Sequence, residues 1–164
     1  MEPNASQLAY SLKISIGDMF TYGFSFCQKD LEDFIALSGD SNNIHLDRAA
    51  ALKSPIGEMA VPGLLTALIF SRVLGTLFPG HGTVYRSQSL EFLRPVILGK
   101  RYEARFRVLK IEIPPTDPNR PPSTIPKRPR ATVETIVVDV ETGIVCLKGE
   151  AVVLNEKRLS HVES

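Results

Sequence analysis

Cysteine is scarce in this 164-residue chain: Cys27 and Cys146 stand alone, far apart and in no Cys-x-x-Cys or other metal-ligand spacing. That scarcity excludes a disulfide framework, argues against a zinc site and fits a reducing compartment. The three histidines, His45, His81 and His161, have no carboxylate at helical spacing with which to build a metal centre. Charge of one sign is also missing. Nineteen basic and eighteen acidic side chains leave a net charge of +1, too weak a field to gather phosphates, so nucleic acid is not an expected partner. The first twenty residues lack the basic start and apolar run of a secretory signal. No stretch reaches the ~18 apolar residues of a membrane span; the longest, Val61 to Phe78, contains Pro62 and Arg72. There is no glycine-rich phosphate loop and no Gly-x-Ser-x-Gly nucleophile motif. A cytoplasmic protein without a membrane partner is expected.

The length suits one domain with a core of its own. Seven of the twelve prolines fall between Pro114 and Pro129. This segment can be neither helix nor central strand, because proline lacks a donor and restricts its predecessor. The expected organisation is an N-terminal arm over 1–14, one domain over 15–154 with a proline-rich insertion at 113–130, and a tail over 155–164. Thr21 to Phe26 reads as a short strand. Leu31, Phe34, Ile35 and Leu37 lie at helical spacing within Lys29 to Ser38, and Gly39 ends that helix. Pro62-Gly63 opens a second helix, Leu64 to Phe78, apolar nearly all round and so expected to be buried on every side. Alternating stretches follow: Thr83 to Phe92, Arg101 to Ile113, Thr132 to Val140 and Val145 to Leu154. A helical block followed by strands predicts an α+β fold, with an antiparallel sheet curled around the long helix.

The densest polar run is Ser38-Gly39-Asp40-Ser41-Asn42-Asn43-Ile44-His45-Leu46-Asp47. In an irregular loop after a helix, Asp40 and His45 can converge, and a carboxylate with an imidazole can position and activate one water molecule. The same residue types also serve any helix exit or Asx-turn, and His45 between Ile44 and Leu46 reads equally as a packed histidine. Gly63 allows two readings as well. The first amides of its helix can hold an oxygen that becomes negative during reaction, or Pro62-Gly63 is simply a proline-assisted helix start.

Taken together, three blocks resemble the MaoC-like, (R)-specific enoyl-CoA hydratase family. Asp40 to Asp47 is similar to that family's Asp-x-Asn-Pro-(Leu/Ile)-His-x-Asp motif, Val61 to Ser71 to its central helix, and Phe78 to Val96 to the strand after it. Gly143 to Leu154 resembles its last strand. The resemblance implies a hot-dog fold: an antiparallel sheet wrapped around one long central helix, dimerised through sheet edges. It implies Asp40 and His45 as the catalytic pair and the Gly63 N–H as the contact to the thioester oxygen. Asn42 and Ser71 take supporting places, Ser71 behind the histidine. It further implies hydration of trans-2-enoyl thioesters to (3R)-3-hydroxyacyl-CoA, or the reverse dehydration, with an acyl-CoA or acyl-carrier thioester as substrate and no metal or redox cofactor. A thioesterase on the same fold and a non-catalytic acyl-thioester binding protein are the alternatives. Asn43 stands where the motif has proline, and Pro62 where the family has histidine.

Overall fold

A computed structural model describes residues 13–113 and 128–159. Residues 1–12 of the expected arm, most of the proline-rich insertion and residues 160–164 of the expected tail lie outside the described residues. Among the described residues eight strands form: β1 (Met19–Phe24), β2 (Ala60–Val61), β3 (Val84–Gln88), β4 (Glu91–Phe92), β5 (Val96–Ile97), β6 (Tyr102–Glu112), β7 (Arg130–Asp139) and β8 (Val145–Leu154). The helices are α1 (Gln28–Ser38), α2 (Asn43–Leu46), α3 (Arg48–Lys53), α4 (Gly63–Thr76) and α5 (Glu156–Leu159).

The main sheet has the order β1-β6-β7-β8-β3, with β4 also pairing β8; β2 and β5 form a separate two-stranded sheet. All pairings are antiparallel. The period of two along the long strands decides which face is covered. Tyr102, Ala104, Phe106 and Val108 of β6 are buried, as are Ala131, Val133 and Val137 of β7. Their neighbours carry ion pairs on the outer face, such as Arg107 with Glu134 at 3.1 Å and Arg130 with Glu112 at 2.8 Å. Hydrogen bonds from Arg130 and then Lys110 hold the Glu112 carboxyl down at about 2.

Against the covered face lies α4. Leu65, Thr66, Ile69, Phe70, Val73 and Leu74 form its buried stripe, and Phe70 meets Phe106 edge-on at 5.7 Å between ring centroids. Each of the apolar side chains in that stripe contributes roughly 1.5–3 kcal/mol when removed from water. The helix is not buried all round as its composition suggests. Leu64 and Leu68 are 62% and 50% exposed, and Ser71 and Arg72 share that side. One sheet has one concave face, so a single chain can cover only one stripe of the helix.

Three further features depart from the sequence reading. Thr83 to Phe92 is two strands rather than one, interrupted at Ser89 and Leu90, and a bulge between Tyr85 and Ser87 breaks the alternation within β3. Tyr85 and Gln88 then face the same way and bond, the Tyr85 hydroxyl donating to Gln88 Oε1 at 2.7 Å. Burial pushes the Tyr85 hydroxyl up to about 12. Residues 155–159, expected as tail, form a helical turn whose Leu159 is 1% exposed and joins the core. Ile14, expected at the end of the arm, is also buried, with its N–H donating to the Arg158 carbonyl at 3.0 Å.

Candidate active site

The polar run after α1 folds through a chain of local hydrogen bonds. Gly39 takes a left-handed conformation, φ 74°, and closes α1. Ser38 Oγ then accepts from the Asp40 N–H at 3.1 Å, Asp40 Oδ1 from the Asn42 N–H at 3.3 Å, and Asn42 Oδ1 from the Ile44 N–H at 3.4 Å. Asp47 Oδ1 accepts from the Ala49 N–H at 2.8 Å and caps α3. Each side chain ties down the backbone two residues on, which is what short polar side chains do where no regular element runs. These bonds shape the loop without the proline that Asn43 replaces. Turn chemistry and a candidate site therefore share the same residues. The loop is also more regular than expected: His45 sits on the one-turn helix α2, with Asn42 as its N-cap.

His45 is buried, at 8% exposure. Its Nδ1 lies 2.6 Å from the Ala60 carbonyl oxygen. A carbonyl can only accept, so Nδ1 carries the proton and donates, and Nε2 of the neutral ring keeps its lone pair. Ala60 is held in turn by β2 pairing with β5, Ala60 opposite Ile97. The two-residue strands thus fix the orientation of the imidazole. The sequence offers no periodicity from which to find them.

Asp40 and His45 open onto one cavity of about 510 Å³, together with Pro62, Gly63 and Thr66. Phe34, Ile44, Ile56, Val61, Val96 and Leu147 supply apolar wall. Gly63 is the first residue of α4 after Pro62 as N-cap, and the helix's own bonding begins with Thr66 N–H to the Pro62 carbonyl at 3.1 Å. The amides before Thr66 have no intrahelical acceptor, and they form the positive end of a fourteen-residue helix. The cavity thus combines a carboxylate, an imidazole with a free lone pair and an electropositive helix terminus. That set can polarise a carbonyl oxygen and move a proton close by.

Ser71 is not brought to this cavity. It lies on the exposed side of α4, turned away from the buried stripe. The helix hydroxyl that does line the cavity is that of Thr66, 2% exposed, whose Oγ1 donates to the Pro62 carbonyl at 3.4 Å. Arg94 brings a positive charge to the cavity lining, while Arg128 pairs with Glu156 and Arg130 with Glu112. His81 is exposed in a turn. Among the described residues no cluster of three or more His, Cys, Asp or Glu side chains is arranged to hold a metal ion, and no helix is long and apolar enough to cross a membrane.

Residues 7–113 match the family model described as "MaoC like domain". The chain belongs to the MaoC-like family. It is 35% identical over 133 residues to the 3-hydroxybutyryl-CoA dehydratase of Methylorubrum extorquens, an alignment covering 81% of this chain and 71% of that protein. It is 31% identical over 140 residues to the (R)-specific enoyl-CoA hydratase of Aeromonas caviae, covering 85% and 94%. The solved structure of the (R)-hydratase from A. caviae superposes with a TM-score of 0.73, at 31% identity over 87% of this chain and 97% of that one. The fold is the hot-dog of these MaoC-like hydratases, and the chain is a lyase of the hydratase and dehydratase class.

Cys146 is a cavity residue of this MaoC-like chain that sequence reading left aside. It is 3% exposed, and burial pushes its thiol above the ordinary range. Cys27 is exposed. Iodoacetamide at neutral pH is expected to add one group to the native protein, at Cys27, and a second only after denaturation, as read by intact mass. Equal rates at both thiols would contradict this placement.

Proposed function

We propose that Asp40 and His45 activate one water for addition across the double bond of a trans-2-enoyl thioester, giving the (3R)-3-hydroxyacyl thioester, and run the reverse dehydration. The water is held between the Asp40 carboxylate and His45 Nε2. Its oxygen bonds to C3 of the enoyl group while its proton passes to the pair. Charge moves onto the thioester oxygen, where the Gly63 amide and the positive end of α4 stabilise it. The pair then returns a proton to C2, so that one water is added overall and the side chains are restored. No metal or redox cofactor enters the scheme.

The observation that carries this reading is the hydrogen bond from His45 Nδ1–H to the Ala60 carbonyl. It sets the tautomer that leaves Nε2 able to accept a proton, in the same cavity as Asp40 and the α4 terminus. Asn42 supports the pair by capping the helical turn that carries His45. Ser71, on the exposed side of α4, has no part in the proposed chemistry of a single chain. The substrate is an acyl-CoA or acyl-carrier thioester. The exposed Leu68, and the outer edges of β1 and β3 at the ends of the sheet, support a homodimer. We place the protein in the cytoplasm, in keeping with its two free cysteines.

Mixing the protein with crotonyl-CoA tests the reaction. The expected result is loss of the conjugated enoyl absorbance with no free thiol. Thiol release would instead make it a thioesterase, and binding without either change would make it a non-catalytic thioester-binding protein.

A further inference from the structure

One wall of the cavity plays no part in the scheme above. Phe92 is 52% exposed, yet its ring lies hard against the first residue of α4. A Cβ added at Gly63 would stand 2.7 Å from its Cε1, 3.0 Å from Cδ1 and 3.2 Å from Cζ. The ring fills the space that any other residue's side chain would need. Its backbone is pinned: Phe92 pairs with Leu147 in β8, and the next two amides, of Leu93 and Arg94, both donate to the Cys146 carbonyl at 2.8 and 3.1 Å. Rotation about the side-chain bonds is then the way left for the ring to move. Leu64, 62% exposed, is a second large apolar side chain lining the cavity at this helix terminus. His45, by contrast, is buried. A thioester with its reacting carbons at His45 has its sulfur nearer the exposed part, where Phe92 and Leu64 present apolar surface. An apolar ring left half in water gains when a ligand covers it.

We infer that Phe92 is a positioning residue for the thioester: its ring, held against Gly63 by the β8 pairing, walls the helix terminus so that the thioester oxygen meets the amide with bulk water shut out. This rests on the thioester reading above. An amide that need not compete with solvent stabilises a developing negative oxygen more strongly, and a flanking wall narrows the orientations the thioester can take.

Steady-state kinetics with two substrates test it: crotonyl-CoA, and the crotonyl thioester of N-acetylcysteamine, which keeps the thioester head but lacks the nucleotide. Phe92→Ala is expected to lower kcat about tenfold or more with both, as misplacement of a reacting group does, and Phe92→Leu to recover most of that loss. Gly63→Ala also lowers kcat, since its methyl strikes the ring. In the Phe92→Ala background the same substitution costs much less, because the group it strikes is gone. Thermal melts and sedimentation accompany each variant, and folding and oligomeric state are expected to stay as in the wild type. A Phe92→Ala enzyme within about twofold of wild type overturns the positioning role, a change well below what even a modest loss of orientation produces. So does a loss confined to the CoA substrate, which would put the ring on the distal arm. Full additivity with Gly63→Ala, or a changed oligomeric state marking Phe92 as an interface residue, overturns it as well. A wild-type protein that hydrates neither thioester sinks the underlying reading and this one with it. A wild type that hydrates both, matched by Phe92→Ala, sinks the positioning role alone.

Discussion

Asp40→Asn is expected to lower the hydration rate of crotonyl-CoA by about 10³-fold, and His45→Ala by a similar factor, the range that a positioned general acid or base contributes. The two differ in what else they disturb. Asparagine keeps the shape of aspartate and an oxygen that can accept from the Asn42 N–H, so the melt should stay within about 0.5 kcal/mol of wild type, as for other partly exposed exchanges. Removing the imidazole strips the Ala60 carbonyl of its donor and should cost about 1–3 kcal/mol of stability. If the pair acts as a unit, the double variant is barely slower than either single one. Initial rates at saturating substrate, taken beside a thermal melt, check this. A folded Asp40→Asn or His45→Ala enzyme within about tenfold of wild type would remove that residue from the mechanism, since even the weakest acid–base contribution exceeds this.

Gly149→Ala should be the most damaging single-methyl change in the sheet. Gly149 lies in β8 opposite Thr135 of β7, where the chain leaving β3 crosses it. A Cβ there would stand 1.8 Å from the Ser89 carbonyl oxygen and 2.7 Å from its carbon. Both atoms are backbone, so no rotamer relieves the clash. Two bonds between Ser89 and Glu150 tie the chain to β8 beside the crossing: Ser89 N–H to the Glu150 carbonyl at 2.9 Å, and the Glu150 N–H to Ser89 Oγ at 2.9 Å. The methyl must break them or push β3 and β4 off β8. The expected cost is about 3 kcal/mol or more, at the upper end of overpacking effects. Because β4 carries Phe92, the wall of the cavity moves too, and activity should fall with stability. Chemical denaturation of Gly149→Ala against wild type measures this; a variant within about 0.5 kcal/mol, the scale of an inconsequential surface change, would show that the crossing is not as close as described.

Much of the frame was legible beforehand because burial writes itself into periodicity. Tyr102, Ala104, Phe106 and Val108 alternate along β6 because one face of the sheet meets α4 and the other meets water. Leu31, Phe34 and Ile35 mark α1 in the same way, with Gly39 at its end, whereas Leu37, read as part of the same stripe, points to solvent at 86% exposure. What was not legible had no period to show. β2 and β5 are two residues each, too short to alternate, yet they present the carbonyl that orients His45. The bulge after Tyr85 shifts the inward face by one residue, which an unbroken alternation over Thr83 to Phe92 does not show. Helical spacing alone could not tell which side of α4 the sheet would cover. Thr66 therefore went unnoticed, while the supporting place of Ser71 came from the family resemblance alone.

Local order supplied the chemistry-bearing types: a carboxylate and an imidazole five positions apart, and a glycine opening a long apolar helix. Whether they share one cavity depends on contacts between residues distant in the chain. His45 meets Ala60 across fifteen positions, and Gly63 meets the ring of Phe92. Such pairings are set by how the strands register and pack on one another, which no short window of residues encodes.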